Sequence, residues 1–491
     1  MEWYFALSLM LGTVCFFLFL GLPVAFAFIA ANLLGTAMFI GAWASLGDWT
    51  IVRISLESMP IEFHEAVGYP LTTIALFLLM GEILLQTGVA FKAIGAIEQM
   101  IARVPGRLSI VAILGGTVFS SLSGSTVANT AILGNVLLPD MVKRGYKPEI
   151  AMGPIMAVGG IAMLIPPSSL AVLLASIAQQ SVALLLVAGI VPGVLMALLF
   201  FAYVVIRCTI NPDMAPAYDP DTSHLDQPIT FAVNRKGHTI WSRSYDGALN
   251  RVLNRILPFF LYITPLMSIF VVVVGSIFFK LASPTEAAAM GCLAALATCY
   301  FFRLFRHTIT ISGIEGADFD WRAIATALMG TVKINTMIIF IIAGSLVFTQ
   351  ALAVSGATQG LLEALLSVDM SATTVVILMI LILLFLGAFM DQVSMLLLTL
   401  PFFLLGANSL QVVYDIDPIW LMVLILISME IGLLTPPFGL LLYVMKGVAP
   451  AGISIAQIVR SAIPFILIEL AVLALLIAVP EVATWLPQQL R

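Results

Sequence analysis

The stretch Ser120-Ser121-Leu122-Ser123-Gly124-Ser125-Thr126-Val127-Ala128-Asn129 interrupts an apolar run, 107–142, with hydroxyls, a glycine and an amide. A second interruption, Gly387-Ala388-Phe389-Met390-Asp391-Gln392-Val393-Ser394, falls inside the apolar run 371–408. An apolar segment broken by a proline pair follows each one, at Pro166-Pro167 in the first half and Pro436-Pro437 in the second. Helix breaks at membrane depth are tolerated only where the freed backbone is buried in protein or lines a cavity. Breaks at corresponding positions of two halves point to a membrane protein with a solute site between internal repeats.

Composition sets the class. Of the 491 residues, 61% are hydrophobic and only 10% charged, and the mean hydropathy is +1.12. A soluble domain with so little charge would expose one large apolar patch, so the chain reads as an all-α polytopic membrane protein embedded in a lipid bilayer. No basic stripe supports nucleic-acid binding. Cys15, Cys208, Cys292 and Cys299 sit in or at the ends of apolar spans and read as small core residues. His64, His224, His238 and His307 lie in polar segments, which argues against an intramembrane metal centre. The amino-terminal apolar stretch has no positive start and no small-residue cleavage site, so it reads as a first span.

Spans of about 20 apolar residues are expected at 3–20, 24–46, 70–88 and 182–207, and at 255–278, 284–302, 334–354 and 461–480. Broken helices are expected at 149–178 and 418–446, helical arms at 89–105 and 356–370, and surface amphipathic stretches near 50–65 and 318–333. Lys and Arg flank both ends of the first interrupted segment, hairpin 1 at 107–143, so both ends face one side and the segment re-enters. Acidic residues flank hairpin 2 at 371–408. The positive-inside rule then opens the first hairpin from the cytoplasm and the second from the opposite face. Counting back from Pro139 and Pro401 sets Ser125 against Gly387 and Asn129 against Asp391. Residues 1–208 and 251–491 thus read as inverted repeats, each with five spans and a hairpin, joined by a polar, proline-rich linker, 209–250. Both termini are expected outside and the 208–254 loop in the cytoplasm.

A hairpin apex leaves unpaired carbonyls at the end of one short helix and unpaired amides at the start of the next. The carbonyl end favours a cation and the amide end an anion. The hydroxyls and the Asn129 amide oxygen are hard, uncharged oxygen ligands that suit an exchangeable Na+ better than a divalent ion. Asp391 and Glu430 are carboxylates within membrane segments, where the default reading is functional. Glu82 reads as structural, and Lys333 as a span-edge residue that snorkels.

The strings Ser123–Asn129, Ile165–Ser168, Gly387–Asp391 and Met429–Pro437 give the chain its resemblance, over nearly its whole length, to the large (M, or DctM-type) membrane subunit of tripartite ATP-independent periplasmic transporters. The 209–250 segment is longer than the resemblance leads one to expect. The resemblance implies an elevator-type secondary transporter in the bacterial inner membrane. It would be driven by Na+ as coupling ion, with no other cofactor and no enzymatic activity. Partners would be a periplasmic substrate-binding protein and a small four-helix membrane subunit. One Na+ site would involve Ser121, Ser123, Ser125, Asn129 and Gly160, and the other Gly387, Asp391, Gly432 and Thr435. A small organic anion, such as a C4-dicarboxylate or a 2-oxo or monocarboxylic acid, would lie between them near Thr126, Pro166, Ser168, Ser169 and Pro436. The alternative is a self-sufficient Na+/anionic substrate symporter of related fold.

Overall fold

The computed structural model describes residues 3–39, 71–101, 104–123, 126–216, 229–233, 239–243, 247–305, 321–368, 370–404, 410–437, 439–450 and 452–489. The chain begins with α1 (Trp3–Phe19), α2 (Val24–Phe39), α3 (Leu71–Gln86) and the arm α4 (Val89–Met100). It continues with α5 (Arg107–Ser123), α6 (Thr126–Lys143), α7 (Pro148–Leu164), α8 (Ser169–Ile177), α9 (Val182–Ala188) and α10 (Ile190–Ile210). After a two-stranded ribbon come α11 (Gly247–Phe278), α12 (Pro284–Phe305), α13 (Trp321–Val354) and a second arm, α14 (Ala357–Leu366). Then follow α15 (Ala372–Gly387), α16 (Gln392–Phe403), α17 (Leu410–Val413), α18 (Pro418–Leu434), α19 (Leu440–Val448), α20 (Ile455–Ala478) and α21 (Glu481–Gln488).

The core helices start and stop for local reasons. α7 opens on Pro148 and α18 on Pro418, at the one helical position where a missing N–H costs nothing. Asp417 caps α18, its Oδ1 accepting from the Ile419 and Trp420 amides at 2.9 and 3.0 Å. Each helix ends on an extended residue, Ile165 and Thr435 respectively, because a following proline excludes the helical conformation. The axis bends by 42° between α7 and α8. α5 and α6 fold back on each other: a Cβ placed on Gly116 would lie 2.9 Å from Leu133 Cδ1.

α7 and α18 form the centre. Every residue from Ile150 to Leu164 and from Leu421 to Leu434 is buried, as expected of helices apolar on all sides. The two pack on each other; α5 and α6 cover α7, and α15 and α16 cover α18. α20 packs on both, approaching α7 closely because Gly153 has no side chain. A Cβ there would sit 2.4 Å from Phe465 Cε2 and 2.5 Å from the Ser461 carbonyl oxygen.

The outer helices pair across the two halves. α2 lies on α13, where Asn32 Nδ2 donates to the Gly344 carbonyl at 2.8 Å and Phe28 meets Phe348 edge-on at 5.3 Å. α3 lies on α12, where the Cys292 thiol donates to the Leu76 carbonyl and Gly291 faces Met80. α1 packs on arm α14, and α11 on arm α4. The buried Arg107 holds α4 to the start of α5. It donates from Nε and Nη2 to the Glu98 carbonyl at 3.2 and 2.7 Å, and its Nη2 lies 3.5 Å from the Glu98 carboxylate.

Apart from the ribbon, the regular elements among the described residues are all helical, as in a polytopic membrane protein. Among the described residues, five helical segments are long and apolar enough to cross a bilayer, or six with α7 and α8 as one broken span. Several details depart from the sequence reading. The stretch 318–333, expected along the membrane surface, is from Trp321 onward continuous with the third span of its half as α13. No proline interrupts it, and Ala-rich turns extend the helix to about 51 Å against about 30 Å of hydrocarbon. Lys333 lies within this helix and is exposed. The segment 182–207 does fall in one apolar span, Val182–Ile210, with a single turn residue, Gly189, between α9 and α10. The polar linker holds an antiparallel ribbon, β1 (Ile229–Val233) and β2 (Thr239–Arg243), whose β-branched and aromatic runs flank a glycine-containing connection, a hairpin pattern. The stretch 50–65 lies outside the described residues.

Gly153→Ala is expected to destabilise the chain by about 1–3 kcal/mol through overpacking. Gly275→Ala, in open space, should be neutral or slightly stabilising. Thermal unfolding of the two variants in detergent checks the contrast.

Candidate functional site

The two polar breaks meet the two broken helices in the core. In the first half, Thr126 opens α6 and is buried, and its hydroxyl donates to the Gly159 carbonyl of α7 at 3.3 Å. Gly159 makes this approach possible, since a Cβ there would lie 2.6 Å from Thr126 Cγ2. One turn further along α6, Asn129 and Thr130 are both 0% exposed. The Thr130 hydroxyl, 3.4 Å from that same Cβ position, has no hydrogen-bond partner among the described residues. Ser121 and Ser123 belong to the last turn of α5, where free carbonyls accumulate. Their side chains, and Ser125 altogether, lie outside the described residues.

Gly160, beside this cluster, faces the other half. A Cβ there would lie 2.2 Å from Glu430 Cγ and 3.0 Å from Glu430 Oε1. Downstream, Pro166 is buried in the break, and Ser168, 1% exposed, caps α8 by accepting from the Ala171 amide at 3.2 Å. Ser169 is buried in its first turn. The helix terminus at this break is thus partly satisfied by its own side chains.

In the second half, Gly387 ends α15 against Gly432 of α18. A Cβ on either would sit 2.7 Å from the other's Cα. Only a glycine pair allows two backbones this close. Asp391 is the N-cap of α16: Oδ2 accepts from the Val393 and Ser394 amides at 3.1 and 3.2 Å, and Oδ1 accepts from the Ser394 hydroxyl. Its carboxylate therefore serves its own helix start first, and it is half-buried. The Thr435 hydroxyl donates back to the Ile431 carbonyl at 2.6 Å, leaving its lone pairs for a further contact. Pro436, unlike Pro166, is exposed.

Of the expected residues, Thr126 of α6 meets Gly159 of α7 next to Gly160, and Gly387 of α15 meets Gly432 of α18. Hydroxyls, carbonyl ends and one carboxylate are donors that suit a monovalent alkali cation. Among the described residues no three His, Cys, Asp or Glu side chains converge as a metal cluster. Sequence reasoning passed over Thr130 and Glu469. Glu469 was marked only by being an acid in an apolar run, Phe465-Ile466-Leu467-Ile468-Glu469-Leu470.

Asp391→Ala should cost about 1 kcal/mol of stability by removing the cap, whereas Asp391→Asn keeps a capping oxygen and should unfold within a few tenths of wild type. Paired thermal melts without Na+ check this.

A family model described as "Tripartite ATP-independent periplasmic transporter, DctM component" matches residues 11–482. The chain is similar to the C4-dicarboxylate TRAP transporter large permease protein DctM of Pseudomonas aeruginosa, with 29% identity over 89% of this chain and 90% of that one. It is also similar to the ectoine/5-hydroxyectoine TRAP transporter large permease protein UehC of Ruegeria pomeroyi, with 27% identity over 96% and 97%. Among solved structures, the YdaH transporter of Alcanivorax borkumensis superposes with a TM-score of 0.59 at 14% identity, over 94% of this chain and 99% of that one. This likeness shows the fold alone.

Proposed function

Because the chain belongs to the DctM component family of tripartite ATP-independent periplasmic transporters, we propose that it is a Na+-coupled large permease subunit importing a small organic anion. The observation that carries the coupling is the meeting of each polar break with a broken helix at glycine-dependent contacts, Thr126 on Gly159 and Gly387 on Gly432. Ser121, Ser123, Ser125, Asn129 and Gly160 serve one Na+ site, and Gly387, Asp391, Gly432 and Thr435 the other. The anion lies between them, near Thr126, Pro166, Ser168, Ser169 and Pro436. Relatives similar over most of the chain are named for C4-dicarboxylate, sialic acid and ectoine, which suits a permease whose partner selects the cargo.

Residues 1–208 and 251–491 form inverted repeats around the 209–250 linker. Reciprocal packing supports this: α1 on arm α14 is answered by α11 on arm α4, and α2 on α13 by α12 on α3. Exchange of equivalent contacts is what a two-fold relation produces. In the inner membrane both termini lie in the periplasm and the linker in the cytoplasm. The bundle around α7 and α18 moves against the outer helices as an elevator, carrying both hairpins. A periplasmic binding protein delivers the anion, and a small four-helix subunit completes the complex. Family membership across 11–482 favours this over a self-sufficient symporter.

Reconstituted with its cognate partners, the protein should take up substrate only with a Na+ gradient and the binding protein. Uptake with neither would remove the proposal. Asp391→Asn and Asn129→Ala should each weaken apparent Na+ affinity about ten-fold or more, the scale of one lost contact to a charged group, with folded yield near wild type. Equal loss of yield and affinity would assign both residues to structure.

A further inference from the structure

Thr126, Asn129, Thr130 and Leu133 are buried along one side of α6, at the three- and four-residue spacing of a helix face packed on a neighbour. That face rests on α7. Gly159 of α7 has no side chain to fill the contact. A Cβ placed there would lie 3.4 Å from the Thr126 carbonyl oxygen and 3.4 Å from the Thr130 hydroxyl. Two oxygens of α6, one turn apart, therefore flank the bare surface of Gly159.

Thr87, Thr331 and Thr399 are also buried in helices, and their hydroxyls donate to the carbonyl four residues back at 2.6, 2.9 and 2.9 Å. The corresponding acceptor for Thr130 is the Thr126 carbonyl. The Thr130 hydroxyl makes no such bond and has no hydrogen-bond partner among the described residues, although the residue is 0% exposed. A buried hydroxyl without a partner lowers stability, and a valine of nearly the same shape would not. An orphaned group of this kind calls for a ligand. The neighbouring Thr126 carbonyl can only accept, which disfavours an anion. The charged residues of α6 and α7, Asp140, Lys143 and Glu149, stand ten or more residues from Thr130 and Gly159 along their helices, about 15 Å or more. Uncharged oxygens in this setting suit a monovalent alkali cation.

We propose that the Thr130 hydroxyl is a ligand of the Na+ held at the first polar break, one turn further along α6 than Thr126. The inference rests on the Na+ reading of that cluster and adds to it a residue outside the apex. Na+ then bonds to the face of α6 that rests on α7, so binding the ion tightens the hairpin against the central helix.

The test uses the purified full chain in lipid nanodiscs. Radiolabelled Na+ binding is one readout, and thermal unfolding in Na+ and in choline is the other. Thr130→Val removes the hydroxyl and keeps the shape. It is expected to weaken Na+ binding at one site about ten-fold or more, the scale of one lost contact to a charged group, and to shrink the rise in Tm that Na+ gives the wild type. In choline its Tm should equal or exceed that of the wild type, because an orphaned hydroxyl has been replaced by an apolar group. Thr130→Ser should keep most of the affinity, and Thr130→Ala gives the affinity reading should the valine variant fail to fold. Wild-type Na+ affinity in Thr130→Val overturns the proposal. So does a Tm lowered equally in Na+ and in choline, which would assign the hydroxyl to a buried water or to folding. Asn129→Ala separates the two readings. Weakened Na+ binding there, with wild-type binding in Thr130→Val, removes this inference and leaves the Na+ site, whereas a wild type that binds no Na+ removes both.

Discussion

Water cannot reach the hydrocarbon region to satisfy a broken helix, so each break in this chain must find its hydrogen-bond partners inside the protein. Four breaks fall in apolar segments, and the structure resolves their described groups with local chemistry. Asp391 takes the first amides of α16, and Ser168 takes one at the start of α8. Thr126 supplies a hydroxyl to the Gly159 carbonyl, and the Gly439 amide returns to the Thr435 carbonyl. Because these partners come from short, specific segments, the breaks have to lie against buried helices. That requirement places α7 and α18 at the centre and arranges the other elements around them.

Glycine governs how closely those elements approach. At Gly387 and Gly432 two backbones touch with no side chain between them; at Gly159 and Gly160 a helix face is cleared for Thr126 on one side and Glu430 on the other. Gly189 serves the same end outside the hairpins: a Cβ there would lie 2.2 Å from the Leu164 carbonyl oxygen at the end of α7. A carbonyl oxygen buried at such a contact exerts a stronger field than in water. A cation site built this way needs little formal charge, which agrees with a first cluster made wholly of uncharged groups.

The outer helices solve a different problem. Their exposed faces are apolar, as at Phe340, Phe260 and Leu293, and their inner contacts are exchanged between the halves. Among the described residues, links to the core run through the arms, through α13 on α16 and through α11 on α9. The Arg107–Glu98 contact fixes the first arm to its hairpin.

The sequence by itself determined the membrane class, the positions of the four breaks and the residues available at them. Apolar run length, proline and glycine act locally, and their effects need no knowledge of the fold. Pro166 and Pro436 end helices wherever those helices lie. It also marked Asn129, Asp391 and Glu430 as polar groups costly to bury. What it left open is which faces meet. That Gly160 clears room for Glu430 and that Glu469 is buried follow from how α7, α18 and α20 pack, and Asp391 spends its oxygens on its own helix start. The extension of α13 and the ribbon at 229–243 were likewise decided by neighbouring contacts and chain continuity. A linear pattern fixes the period and burial of each helix. The pairing of helices is a three-dimensional packing choice, because any apolar face fits many partners until glycine clefts and buried charges select one.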